Sequence, residues 1–173
     1  MTEIELLTKQ TKDAYHWTNK LLNDISDDKW DIIPEIIETN LTWQTGHLIM
    51  SFYYHTVMVT VGHQRDIFEN MPLKTYGELF SFGKPEGTIG QTNPSDLKTH
   101  LEIMQDKSID VIKSLSNSDL KSDLEPTKMK HPVANNKFEA LDWNIKHTMW
   151  HCGQISTLKR VLGVGYQFIP KPS

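Results

Sequence analysis

Residues 137–163, KFEALDWNIKHTMWHCGQISTLKRVLG, form the stretch that decides the fold. Apolar residues recur every three or four positions along it, which predicts one long helix that ends near Gly163. His147 and His151 are four positions apart, so both imidazoles project from one face of that helix. Such a pair can hold one metal ion. Two histidines at the edge of a core, with ordinary hydrogen bonds, would make the same pattern.

Three earlier segments repeat the helical spacing. We predict further helices over residues 3–25, 41–62 and 95–116. No segment alternates apolar and polar residues as a half-buried strand does, and no internal repeat is present. The sequence therefore predicts an all-α four-helix bundle, as a single domain over residues 1–173.

The connections between these helices carry the turn-forming residues. A long irregular segment, 63–94, joins the second helix to the third, and a link of this length predicts a crossover connection between helices 2 and 3. Residues 117–136 are polar and predict a loop. Pro170 and Pro172 mark a C-terminal tail.

Charge and composition exclude several classes of protein. The net charge is −4 and no run of lysine or arginine occurs, so we expect no nucleic-acid partner. The most apolar run, 48–61, is too short to span a bilayer, so we expect no membrane partner. The N-terminus lacks a signal peptide's apolar region, and Cys152 is the only cysteine. These features predict a cytoplasmic protein.

A third histidine, His47, lies on the second predicted helix, which is apolar on nearly all sides. A buried polar group needs a partner, and a metal ion is an efficient one. We therefore predict that His47 shares one metal ion with His147 and His151.

Other polar residues lie close to these three histidines along the chain. Gln44 and Tyr54 share a helical face with His47, and Gln154 lies one turn beyond His151. We predict that Gln44, Tyr54 and Gln154 line a pocket or support the ligands, although Gln154 would equally suit a hydrogen bond at the core edge.

The remaining histidines and the cysteine have weaker patterns. His55 follows His47 by eight positions, about 80° around an α-helix, so we predict that it does not share the ligand face. Cys152 falls on the apolar stripe of the last helix and predicts a buried, inert thiol. The histidines with no partner pattern are His16, His63, His100 and His131.

Two stretches resemble a known family. HTMWHCGQISTLKRVLG, 147–163, is similar to the last-helix signature of the DinB-like/YfiT-like family, in which two histidines precede Gly-Gln-Ile. WQTGHLIMSF, 43–52, resembles that family's second helix, and the order of segments agrees over nearly the whole chain. The resemblance implies a four-helix bundle that holds a divalent metal ion with His47, His147 and His151. It also implies a homodimer.

The same resemblance implies a class of reaction. Members of known activity include metal-dependent thiol S-transferases and a maleylpyruvate isomerase. Three neutral imidazoles leave a metal its full charge and an open position, which would activate a thiol or a water. We therefore expect a metal-dependent transferase that uses a small-molecule thiol and an electrophilic substrate. A metal-dependent hydrolase and a non-enzymatic metal or small-ligand binder remain alternatives.

The sequence narrows the metal chemistry in two further ways. Histidine ligands suit zinc, nickel, iron or copper, and availability decides among them; we expect zinc or nickel. Thr148 follows His147 where a zincin protease has a glutamate, which argues against a protease of that type. No residue of the chain is assigned a catalytic role from the sequence.

Overall fold

The computed structural model describes residues 1–167, which are mostly helical and contain no β-strand. The helices, in chain order, are α1 (Glu3–Leu22), α2 (41–61), α3 (Arg65–Asn70), α4 (73–82), α5 (Pro94–Ser114), α6 (Asn117–Leu120) and α7 (Lys137–Val161). Single 3₁₀ turns occupy Asp27–Lys29 and Pro85–Thr88. The tail predicted around Pro170 and Pro172 lies outside the described residues. No helix within 1–167 is both long enough and apolar enough to cross a membrane.

Asparagine side chains begin three of the four long helices. The Asn40 side chain accepts a hydrogen bond from the Trp43 backbone N–H, and Asn136 does the same for Glu139 at the start of α7. Asn93 caps α5. Each cap satisfies a backbone donor that the first turn leaves free. The four long helices begin within one residue of the positions predicted from the sequence.

The segment 63–94 is more ordered than the sequence predicted. We expected an irregular connection, but it contains α3 and α4. Helix α4 ends in a π-helical stretch, Gly77–Phe82, and packs against α2. The helices of segment 63–94 are hard to predict from the sequence, because they are short and lack the long apolar periodicity of the other helices.

Helix α2 is not a uniform α-helix. It is α-helical over Leu41–Phe52, π-helical over Tyr53–Met58 and α-helical again over Val59–Val61. A π-turn accommodates an extra residue, which rotates the side chains that follow it relative to an unbroken α-helix. The faces assigned from regular α-helical spacing are therefore displaced beyond Phe52.

The last helix runs alongside both of the first two long helices. Thr18 of α1 contacts Cys152 of α7, and Leu7 packs with Leu141, so α1 and α7 are parallel. The thiol of Cys152 is buried, as predicted, and burial raises its pKa. On the other side of α7, α2 packs in the antiparallel direction.

A layer of polar side chains crosses the middle of the core. One residue comes from each long helix, and they are Tyr15, Thr56, Ser108 and Asn144. The Asn144 amide donates to the Tyr15 hydroxyl oxygen at 3.1 Å, and burial raises the pKa of Tyr15 to about 12. The hydrogen bond between Asn144 and Tyr15 therefore helps to fix the height of α7 relative to α1.

Candidate metal centre

Three histidines from two antiparallel helices meet at one point. His47 comes from α2, and His147 and His151 come from successive turns of α7. One ligand nitrogen from each ring lies within 4.8 Å of the others. The Nε2 atoms of His147 and His151 are 3.2 Å apart. The structure thus brings together the three residues that the sequence singled out, in an arrangement that could hold a metal ion.

Each imidazole is oriented by a hydrogen bond at its Nδ1 atom. The pairs are His47 Nδ1 with the Phe80 carbonyl oxygen at 2.8 Å, His147 Nδ1 with Ser51 Oγ at 2.7 Å, and His151 Nδ1 with Gln44 Oε1 at 2.5 Å. Metal-binding histidines in proteins are typically fixed in this way, through the nitrogen that does not bind the metal. The arrangement leaves Nε2 of all three rings for a shared ion.

The donor set fits a metal ion in both chemistry and spacing. The carbonyl oxygens of Phe80 and Gln44 can only accept, so His47 and His151 carry their protons on Nδ1 and present bare Nε2 lone pairs. Two nitrogens bound at about 2.0–2.1 Å to one tetrahedral ion lie about 3.4 Å apart. The 3.2 Å between His147 Nε2 and His151 Nε2 is close to that separation.

Burial keeps the three rings neutral. Burial, together with the neighbouring His47, lowers the pKa of His147 to about 4 and that of His151 to about 3. The pKa of His47 is lowered by burial as well. Only the neutral imidazole can bind a metal, so at pH 7 no proton has to leave before an ion enters.

The predicted supporting residues take different positions. Gln44 is buried and holds His151, and its own amide donates to Gln154 Oε1 at 2.7 Å. Gln154 therefore acts on the site through Gln44. Within the described residues, Tyr54 makes no ring contact or hydrogen bond with the three histidines. Its ring stacks on His131, and its hydroxyl donates to the Met129 carbonyl oxygen.

Comparison with family models matches residues 10–155 to the DinB superfamily. The chain belongs to the DinB superfamily. The matched region includes His47, His147 and His151 together with the α4 segment. No curated protein matches the chain.

In this DinB-superfamily chain, α4 supports His47 through a close approach to α2. Phe80 is fully buried, and a methyl group placed on Gly46 would lie 2.4 Å from its ring. The indole N–H of Trp43 donates to the Gly83 carbonyl oxygen at 3.1 Å. These contacts hold the Phe80 carbonyl against His47. A backbone acceptor has no side-chain signature, so the sequence alone did not reveal it.

We predict that Gly46→Ala weakens this support. The new methyl group would push against the Phe80 ring, and such overpacking destabilises a protein by about 1–3 kcal/mol. Displacement of Phe80 should also lower metal affinity, because His47 loses the acceptor of its Nδ1–H. Urea unfolding and a competitive metal titration measure the two effects. Gly87→Ala is the matched control, since nothing lies within 4 Å of that position. Equal unfolding midpoints in the two variants would contradict the prediction.

Indole rings stack on two of the three histidines. Trp43 stacks on His47 with ring centroids 4.7 Å apart, and Trp143 stacks on His147 at 5.8 Å. Trp150 meets Trp143 edge-on and leaves 63% of its surface exposed. The DinB site therefore has apolar walls, one of which reaches solvent.

His55 is outside the group of three histidines, as predicted, but it lies closer to them than regular α-helical spacing indicates. Its ring contacts the His147 ring with centroids 5.6 Å apart. The reason is the π-helical stretch Tyr53–Met58, which alters the rotation between His47 and His55. His55 is not part of the group of three, yet it borders the site.

Proposed function

We propose that this protein is a metal-dependent transferase that activates a low-molecular-weight thiol at His47, His147 and His151. The observation that carries the proposal is the convergence of one ring nitrogen from each of three neutral imidazoles to within 4.8 Å of one another. Residues 1–167 supply no fourth histidine, cysteine or carboxylate to this group. Closed structural zinc sites have four protein ligands, whereas catalytic sites have three and an open position.

The proposal divides the chemistry between the ion and the chain. A bound divalent ion, zinc or nickel, would supply the positive charge that lowers the pKa of a thiol or a water. The chain orients the three rings through Gln44, Ser51 and the Phe80 carbonyl. The exposed face of Trp150 offers an apolar surface for the electrophilic substrate.

A thiol panel tests this proposal. The protein loaded with zinc or with nickel is mixed with an aryl halide and, separately, with glutathione, bacillithiol and mycothiol. We expect metal-dependent thioether formation with one of these thiols, and none in His151→Ala. Hydrolysis of an ester or amide without thiol would instead identify a metal-dependent hydrolase. Stoichiometric metal with no turnover would leave a non-enzymatic metal or small-ligand binder.

We also propose that the chain forms a single four-helix-bundle domain over residues 1–173 with a crossover between α2 and α5. Helix α1 runs antiparallel to α5, because Asn19 pairs with Gln105 and Leu7 packs with Ile112. Since α1 is parallel to α7 and α2 is antiparallel to α7, α2 and α5 run in the same direction. Two parallel neighbours need a long connection, and α3 and α4 lie within it.

We propose further that the protein acts as a cytoplasmic homodimer without nucleic-acid or membrane partners. Large apolar side chains are exposed at Ile36 and Phe82, 78% and 77% respectively, which supports a protein interface. The net charge of −4 disfavours binding to phosphate backbones. Light scattering during gel filtration reads the oligomeric state, and a monomer mass would refute the dimer.

A further inference from the structure

A second pair of histidines, His55 and His131, is buried beside the three-histidine site. Their side chains are exposed by 7% and 4%, and His131 Nε2 lies 2.7 Å from His55 Nδ1. His131 Nδ1 accepts backbone N–H groups from Ala134 at 2.9 Å and from Val133 at 3.3 Å. A nitrogen that accepts carries no proton, so the proton of neutral His131 is on Nε2.

This geometry decides the tautomer of His55. His131 Nε2 donates, so His55 Nδ1 accepts and the proton of neutral His55 is on Nε2. No acceptor within residues 1–167 engages His55 Nε2. The result is an oriented N–H donor that makes no hydrogen bond to residues 1–167.

The position of His55 connects this donor to the metal centre. Among the histidines outside the group of three, it is the one whose ring contacts a ligand ring within the described chain. The rings of His55 and His147 meet at 72°. Tyr54 stacks on His131 at 5.4 Å and 3°, which fixes the far side of the pair. The π-helical stretch Tyr53–Met58 places His55 here, and such stretches often occur at functional sites.

We propose that His55 Nε2–H donates a hydrogen bond to the anion, a thiolate or a group of similar charge, that binds at the open side of the metal centre. His131 is the positioning residue that holds His55 in the donating tautomer. A neutral, preoriented donor in a buried site stabilises negative charge more effectively than water does. The inference rests on the proposed function, because it requires a bound ion with an open position.

Anion binding to the cobalt(II)-loaded protein tests this inference without any turnover. Azide is titrated into the protein, and the visible absorption of cobalt reports its binding. We expect His55→Phe to bind cobalt with unchanged stoichiometry and to raise the Kd for azide about tenfold, as the loss of one hydrogen bond to a charged group predicts. His55→Gln keeps an N–H donor and should recover most of the affinity. His131→Phe keeps the His55 ring but no longer fixes its tautomer, so the loss of azide affinity should be intermediate.

His100→Phe is the matched control. The Nδ1 atom of His100 is also hydrogen-bonded, to Tyr76 at 2.7 Å, but its ring makes no contact with the three ligand rings in the described chain. We expect its azide Kd to equal that of the parent protein.

The outcomes separate this inference from the proposed function. Equal azide Kd values for the parent and His55→Phe, with cobalt bound to both, would overturn the role of His55 alone. A parent protein that binds no cobalt, or binds it without responding to azide, would overturn the open metal centre as well. If His55→Phe loses its helical circular dichroism, His131→Phe becomes the test of the inference. An azide Kd in His131→Phe equal to that of the parent protein would then refute the role of His55.

Discussion

The variant His151→Ala should lower metal affinity by at least about 100-fold while its helical circular dichroism stays unchanged. Loss of a residue that merely supports a ligand lowers metal affinity about 10–100-fold, and removal of a ligand should have a larger effect. His151 also anchors Gln44, so its removal leaves a buried amide oxygen without its donor. Helix α7 should persist, because Leu141, Cys152 and Ile155 pack it into the core independently of the site.

Metal content after equilibrium dialysis, together with a competitive chelator titration, measures this effect. His147→Ala should behave in the same way, since it removes the neighbouring nitrogen 3.2 Å away. His63→Ala is a matched control, because His63 hydrogen-bonds to Tyr53 and is not part of the group of three. Stoichiometric metal in either ligand variant would refute the assignment of that ligand.

Acidification of the metal-free protein from pH 7 to pH 5 should lower its free energy of unfolding by at least about 4 kcal/mol. Burial lowers the pKa of His55 to about 2 and that of His151 to about 3 in the folded protein, whereas an unfolded histidine titrates near 6.5. Below about pH 6.5 the unfolded chain therefore takes up protons that the folded chain does not. Stability is complete above that pH and falls down to about pH 3, by about 1.4 kcal/mol per pH unit for each such histidine.

Urea unfolding at the two pH values, with a chelator present, measures this loss. His55→Phe should remove about 2 kcal/mol of this loss, because it deletes one of the buried rings whose pKa is lowered. The control is His100→Phe in the same buffers. The His100 ring is less buried, so its removal should change the pH dependence of the unfolding free energy less. An unfolding midpoint that does not change between pH 7 and pH 5 would contradict the account of neutral, buried histidines.

The sequence was most informative where one helix carries the whole pattern. His147 and His151 lie on the unbroken helix α7, so their shared face follows from spacing alone. The role of His47 was harder to predict, because its distance from α7 depends on how two separate helices pack. We included His47 because it lies on an apolar helix and because both stretches resemble one family.

Two parts of the site lay beyond such patterns. The acceptor for His47 is the backbone carbonyl of Phe80, and every residue has such a group, so no residue type marks it. The position of His55 depends on the π-helical stretch of α2, where regular α-helical spacing fails. Ser51 did leave a signal, since it lies four positions after His47 on the same face, but only the structure shows that it holds His147.

X-ray absorption at the metal edge of the zinc- or nickel-loaded protein tests the central claim most directly. We predict one ion per chain with three imidazole nitrogens at about 2.0–2.1 Å and at least one further light atom that the three histidines do not supply. The same spectrum from His151→Ala should lose one imidazole contribution or the metal altogether. A parent spectrum with a sulfur ligand, or with fewer than three imidazoles, would contradict a centre built from His47, His147 and His151.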